Sequence, residues 1–180
     1  MTTSRPPEVL ISEADIARRV EELAAQISAD HAGAEEVLLV GVLRGAFIFL
    51  ADLARRITVP VRIDFIALSS YEGTTSGEVR LVLDLREPIR DRHVIVVEDI
   101  VDTGKTLSYL LRTLAARRPA SLRTCVLTRK HEVAKLDFPV DYLGFDLPDA
   151  WVVGYGLDLA DRYRALPYIG LVDPAAEGVA

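Results

Sequence analysis

The sequence predicts an α/β fold: a mostly parallel central sheet with helices on both faces. Two runs point to it. Val37-Leu38-Leu39-Val40-Gly41-Val42 and Val94-Ile95-Val96-Val97 are continuously apolar instead of alternating, so strands built from them must be covered on both sides, as in the middle of a parallel sheet. Each run is followed by a glycine-bearing turn and then by apolar residues at helical spacing, the order a strand-to-helix unit needs. With 180 residues, 50% of them hydrophobic, the chain is long enough for one domain, 1–180, with a sizeable core.

Taken in order, Ser12-Glu13-Ala14-Asp15 has the form of a capping box, and Ile16, Val20, Leu23, Ala24 and Ile27 follow on one helical face. His31 and Gly33 end that helix. The Val37–Val42 strand leads to Leu43-Arg44-Gly45-Ala46 and a helix expected to send Phe47, Leu50, Ala54 and Ile57 toward the core. A cation and a glycine at such a turn suit a diphosphate, with backbone N–H groups donating and Arg44 supplying charge. Val59–Leu68 and Val79–Asp84 read as strands, joined by a polar, glycine-bearing connection that contains Ser70 and Tyr71 and has the composition of a mobile loop.

Further on, Leu107, Leu110, Leu111, Leu114 and Ala115 make one helical face, which ends at Arg117-Arg118-Pro119. A strand at Arg123–Thr128 exits onto Arg129-Lys130-His131, a third strand end that carries a cation. Trp151, the one tryptophan, is either a core residue or a platform for a flat base, whose edge the Val152 backbone can read. Tyr168–Val172 reads as the last strand and Asp173–Ala180 as a frayed tail.

The densest chemistry follows the second apolar run. Thr103, Gly104, Lys105 and Thr106 lie where a strand turns into a helix, so backbone N–H groups are unpaired and the helix dipole is positive there. Gly104 lets the backbone curl toward a ligand and the hydroxyls add donors, which suits a phosphate monoester. Glu98, Asp99 and Asp102 would repel a phosphate, so they must serve another part of the ligand: sugar hydroxyls, a Mg²⁺ ion or a positively charged transition state. An activated phosphorylated ribose combines all of these features. The Gly104-Lys105-Thr106 triplet is not an ATP-binding P-loop, because that pattern needs a glycine where Asp99 stands.

Val96-Val97-Glu98-Asp99-Ile100-Val101-Asp102-Thr103-Gly104-Lys105-Thr106 resembles the phosphoribosyl diphosphate (PRPP) signature of the type I phosphoribosyltransferase family, and within it the hypoxanthine(-guanine) group. Leu43-Arg44-Gly45-Ala46 resembles that family's pyrophosphate loop, which can carry a cis peptide before the cation. Trp151-Val152-Val153-Gly154-Tyr155-Gly156-Leu157-Asp158 resembles its six-oxopurine block, and the likeness extends from about Val37 to Val172.

The resemblance implies a core of about 37–130 under a small hood from about 1–36 and 131–180. It implies Mg²⁺-dependent transfer of a phosphoribosyl group from PRPP to a purine base, giving IMP or GMP and pyrophosphate, in a homodimer or homotetramer. By the same resemblance Glu98 and Asp99 hold the ribose and help bind metal. Asp102 is the general base and, with Thr103, Gly104, Lys105 and Thr106, borders the 5′-phosphate. Arg44, Gly45 and Arg164 meet pyrophosphate, Lys130, Trp151 and Val152 meet the purine, Asp158 meets the metal, and Ser70 and Tyr71 belong to a flexible lid.

Charge and composition narrow the partners. A net charge of −6 argues against general nucleic-acid binding, and makes local donors and metal hold an anionic substrate. No run reaches bilayer-spanning length, Met1–Pro7 is polar, and the single cysteine, Cys125, cannot form an internal disulfide; a cytoplasmic protein with no membrane partner is expected.

Overall fold

Alternate residues of the two apolar runs feed two separate cores, and that division builds the fold. The structure, a computed structural model, describes residues 6–70 and 79–178, without the side chain of Ser70. Of the lid expected at Ser70 and Tyr71, Ser70 is described by its backbone alone and Tyr71 lies outside the described residues. In chain order the elements are β1 (Glu8–Ile11), α1 (Glu13–Asp30), β2 (Val37–Leu43), α2 (Phe47–Ala54), β3 (Val61–Ser70), β4 (Val79–Leu83), β5 (His93–Val101), α3 (Lys105–Ala115), β6 (Ser121–Lys130), β7 (Tyr142–Leu147), β8 (Val152–Val153) and β9 (Ile169–Leu171).

Six strands form one sheet in the order β4-β3-β2-β5-β6-β7, parallel throughout except for β4, which runs antiparallel to β3. A second sheet, β1-β9-β8, is antiparallel. On one face of the large sheet Val37, Leu39, Ile95, Val97, Cys125 and Leu127 pack with the apolar stripes of α1 and α2. On the other, Leu38, Val40, Val42, Val94, Val96 and Val126 pack with Leu107, Leu110 and Leu114 of α3. Helices thus cover both faces, as the unbroken apolar runs require.

The expected stripe of α1 is buried as a set, each large side chain contributing about 1.5–3 kcal/mol. Its cap departs slightly from a full capping box. The Ser12 hydroxyl accepts from the Asp15 N–H at 3.1 Å and donates to the Asp15 carboxylate at 2.5 Å. Aspartate is one carbon shorter than the glutamate usual there, and its carboxylate meets the hydroxyl.

Other expectations shift. In α2 the buried residues are Phe49, Leu50 and Leu53, while Phe47 is 45% exposed. The anchor is Leu50, whose Cδ2 lies 2.6 Å from where a Cβ on Gly41 would stand, so α2 seats on bare β2 backbone and turns Phe47 outward. β3 begins at Val61, since Pro60 has no N–H to give a ladder and offers only its carbonyl, to the Val37 N–H at 3.0 Å. β1 was not apparent in the sequence. The tail is tied down as far as Gly178: the Tyr163 hydroxyl donates to the Glu177 carboxylate at 2.7 Å and Arg162 pairs with it at 3.3 Å.

The topology sets where a ligand can enter. From β2 the chain goes to β3 on one side, then crosses to β5 on the other, so the switch lies between β2 and β5. The turns leaving their carboxyl ends, with Arg44-Gly45 and residues 102–106, stand where open α/β sheets bind their ligands. Among the described residues no helix is long and apolar enough to cross a membrane.

A Cβ added to Gly144 of β7 would stand 2.2 Å from the Leu127 carbonyl oxygen of the neighbouring strand, which cannot move away. Gly144→Ala should therefore cost roughly 1–3 kcal/mol, read as a lower denaturant midpoint with an unchanged slope.

Candidate active site

The apolar pattern ends at Val97, yet β5 continues through Val101 because β6 keeps pairing with it, Ile100 opposite Thr128 and Val101 opposite Arg129. Glu98 and Asp99 are therefore inside the strand, not past its end, and both are buried. The Thr128 hydroxyl donates to the Asp99 carbonyl at 2.7 Å. Burial first, then the Asp99 charge, holds the Glu98 carboxyl well above its ordinary range. Burial also raises Asp99, against the lowering effects of the Glu98 hydrogen bond, the Asp99 and Ile100 N–H groups and Arg164. Both carboxyls are thus held above the ordinary carboxylate range by burial, Glu98 the more strongly.

Asp99 has room only because residue 45 lacks a side chain. A Cβ on Gly45 would stand 1.6 Å from Asp99 Oδ2. On the other side of the same loop, Gly156, at φ 103°, comes so close that its Cβ would lie 2.0 Å from the Gly45 carbonyl oxygen. The peptide bond from Leu43 to Arg44 is cis. Three segments distant in sequence thus meet at one glycine.

Beyond β5 the chain turns at Gly104, φ 84°, the residue before α3. A side chain there would also strike Leu136, whose Cδ2 lies 2.4 Å from the Cβ position. The first helical bond runs from the Ser108 N–H to the Gly104 carbonyl at 2.9 Å, so the N–H groups of Thr106 and Leu107 precede the ladder, while that of Lys105 reaches only the Thr103 hydroxyl at 3.5 Å. Asp102, Thr103, Lys105 and Thr106 are exposed. The turn is an open anion cradle with a carboxylate at its lip.

β6 delivers Lys130 to that lip. Its Nζ lies 3.4 Å from Asp102 Oδ2, 3.2 Å from Asp149 Oδ1 and 5.8 Å from the Trp151 ring centre. Trp151 is 58% exposed, so it is not a core tryptophan. Val152 follows it, buried in β8. Arg129, the neighbouring cation, points instead to Asp146 through two bonds of 2.7 and 3.1 Å.

The remaining cations form a second group. Arg164 pairs with Asp158 at 2.7 Å and Asp161 at 3.0 Å, and Asp161 also takes Arg44 at 2.5 Å. The two arginines, Arg164 first, hold the Asp161 carboxyl below its ordinary range. Asp158 also accepts the Asp161 N–H at 2.7 Å. Among the described residues no three His, Cys, Asp or Glu side chains are gathered to hold a metal by themselves, so Glu98, Asp99 and Asp158 are not a preformed cage. Mg²⁺ does not need one, since it commonly takes one or two carboxylates and completes its shell with water and substrate oxygens.

Asp149, Asp161 and Gly156 belong to this constellation and were not singled out from the sequence. Gly154-Tyr155-Gly156 did carry a signal, because paired glycines often mark positive φ. Asp149 and Asp161 carried none, being acids in polar loops that meet Lys130 and Arg44 only across distant stretches of chain.

The model of the phosphoribosyl transferase domain matches residues 11–159. The chain is 46% identical to a hypoxanthine-guanine phosphoribosyltransferase of Dictyostelium discoideum, over 91% of this chain and 93% of that one. It is 46% identical to a hypoxanthine phosphoribosyltransferase of Salmonella typhimurium, over 92% and 94%. Among solved structures, the Trypanosoma cruzi hypoxanthine phosphoribosyltransferase in complex with the product IMP aligns with a TM-score of 0.87 at 44% identity, covering 93% of this chain and 95% of that one.

The buried acid pair gives a pH dependence with a defined sign. A carboxyl raised in the folded state adds no penalty below its ordinary value, 4.5 for Glu98, and costs stability as pH rises above it, because the unfolded chain then releases a proton that the folded chain keeps. Glu98→Gln retains a donor toward Asp99 without that proton. Ligand-free Glu98→Gln should melt higher than the parent at neutral pH and lose less stability between acid and neutral pH; parallel melting curves would contradict a raised Glu98 carboxyl.

Proposed function

The chain belongs to the phosphoribosyl transferase domain family, and we propose that it is a purine salvage enzyme transferring the 5-phosphoribosyl group of PRPP to N9 of hypoxanthine, and of guanine, with release of IMP or GMP and pyrophosphate. One juxtaposition carries the reading: the Lys130 ammonium 3.4 Å from the Asp102 carboxylate at the mouth of the 103–106 cradle. On a six-oxopurine N7 and O6 lie side by side on one edge. A carboxylate there accepts from N7–H while an ammonium donates to O6. Adenine would turn an amino donor toward that ammonium and is disfavoured.

The remaining roles follow from the same pose. The 5′-phosphate rests on the N–H groups and hydroxyls of Thr103 to Thr106, next to Asp102. Trp151 stacks on the base and the Val152 backbone reads its edge. Glu98 and Asp99 fix the ribose hydroxyls, so that the ring is held where N9 attacks. Arg44, Gly45 and Arg164 meet the departing pyrophosphate and absorb the negative charge that grows on it. Asp102 takes the proton that the base loses, an effect near 10²- to 10⁴-fold. Mg²⁺ would be held by Asp158, with Glu98 and Asp99 on the ribose side, and when bound it supplies positive charge that stabilises the leaving group.

The lid over the reacting centre is assigned to Ser70, Tyr71 and their loop, where closure keeps water from the ribosyl carbon. The three-stranded β1-β9-β8 sheet, which carries Val152 beside Trp151, suits a hood over a core of about 37–130. The expected setting is the cytoplasm, as a homodimer or homotetramer.

Incubating the purified protein with PRPP, Mg²⁺ and each of hypoxanthine, guanine, xanthine and adenine should consume hypoxanthine and guanine; adenine as the sole substrate, or no consumption, would refute the proposal. Asp102→Asn should lower kcat by roughly 10²- to 10⁴-fold while the KM values change little, as expected for loss of a base that acts in the transition state. Equal losses in turnover and affinity would remove Asp102 from that role.

A further inference from the structure

We propose that Asp149 is a positioning residue that sets the selectivity of the base site for a six-oxopurine, by holding the Lys130 ammonium between two carboxylates with one donor free for O6. The inference rests on the functional reading above and extends it to a residue outside the PRPP-binding turns. Lys130 is only 9% exposed, so its charge is largely removed from water and needs partners. An ammonium has three N–H donors and no acceptor. Asp102 lies 3.4 Å and Asp149 3.2 Å from Nζ, and one donor is left to point over the Trp151 side of the site.

Were Asp102 the sole counter-charge, the two would collapse into a closed ion pair and both would be engaged with each other instead of the base. Asp149, drawing on the ammonium from its other side, leaves Asp102 in a long, weak contact that a purine N7–H can replace. It also holds the Lys130 ammonium where it can donate to the carbonyl oxygen on C6 and repel a 6-amino group. The placement is dictated by the sheet: Lys130 pairs with Leu147 across β6 and β7, and Asp149 comes two residues later at the same strand end. The nearby Asp146 is already committed to Arg129.

The test is steady-state kinetics of Asp149→Asn in the full chain, with both substrates varied and hypoxanthine compared with adenine. Removing one charge-assisted contact should raise the KM for hypoxanthine roughly tenfold, with a smaller change in kcat. The KM for PRPP and the melting temperature should stay as in the parent, the hypoxanthine-to-adenine preference should fall, and Asp149→Glu should recover much of the affinity. An unchanged KM for hypoxanthine, or KM values for base and PRPP that rise together, would overturn the role. Should the parent protein itself consume no purine, the functional reading fails and takes this inference with it; an active parent with an indifferent Asp149→Asn sinks the inference alone.

Discussion

The candidate site depends on one close approach: the Asp99 carboxylate lies where a side chain on Gly45 would be. That contact joins the carboxyl ends of β2 and β5, the two strands that flank the switch in the sheet. It can exist only if residue 45 is bare, and the Gly156 backbone closes the same loop from the other side. The Arg44-Gly45 loop, the acid pair and the segment that leads to Asp158 and Arg164 are therefore positioned by one another. Rigidity here comes from backbone contact, which cannot relax by a rotamer change.

The sheet makes this arrangement possible by dividing its burial evenly. With α1 and α2 covering one face and α3 the other, β2 and β5 are held on both sides and their ends are fixed in space. Two carboxyls are then buried on β5, and that burial raises both above the ordinary carboxylate range. Such a pair is a poor anion site and a good acceptor for hydroxyls. A few residues on, bare N–H groups and hydroxyls make the opposite kind of surface. One strand end thus offers side by side an acceptor surface that suits hydroxyls and a donor surface that suits a phosphate.

What the sequence disclosed follows the reach of its patterns. The interior of β5 and the turn at Gly104 were legible because an unbroken apolar run and a helix start are local signals. The end of β5 was not, since Glu98 and Asp99 stay in the ladder only through pairing with β6, which no local pattern encodes. Phe47 was misplaced for a similar reason: the helical face of α2 is decided by Leu50 seating on Gly41. β1 is four residues long and exists by pairing with β9, at the far end of the chain. Lys130 was singled out as a strand-exit cation, whereas Asp149 became visible only once β6 and β7 were side by side.

The electrostatics of the site follow a single rule. Three of its cations are already matched by acids of the chain: Arg44 and Arg164 by Asp161 and Asp158, Lys130 by Asp102 and Asp149. A protein of net charge −6 cannot draw in a polyanion through its overall field, so ligand binding here is an exchange of one carboxylate for another anion. Around Arg44 and Asp161, both well exposed, that exchange is inexpensive because water screens the pair. Around the buried Lys130 it is not, and an incoming group must offer an acceptor at the right place or leave the ammonium poorly satisfied. On the proposed function, the exposed arginine end suits ready binding and release of a diphosphate, and the buried lysine end discrimination between bases.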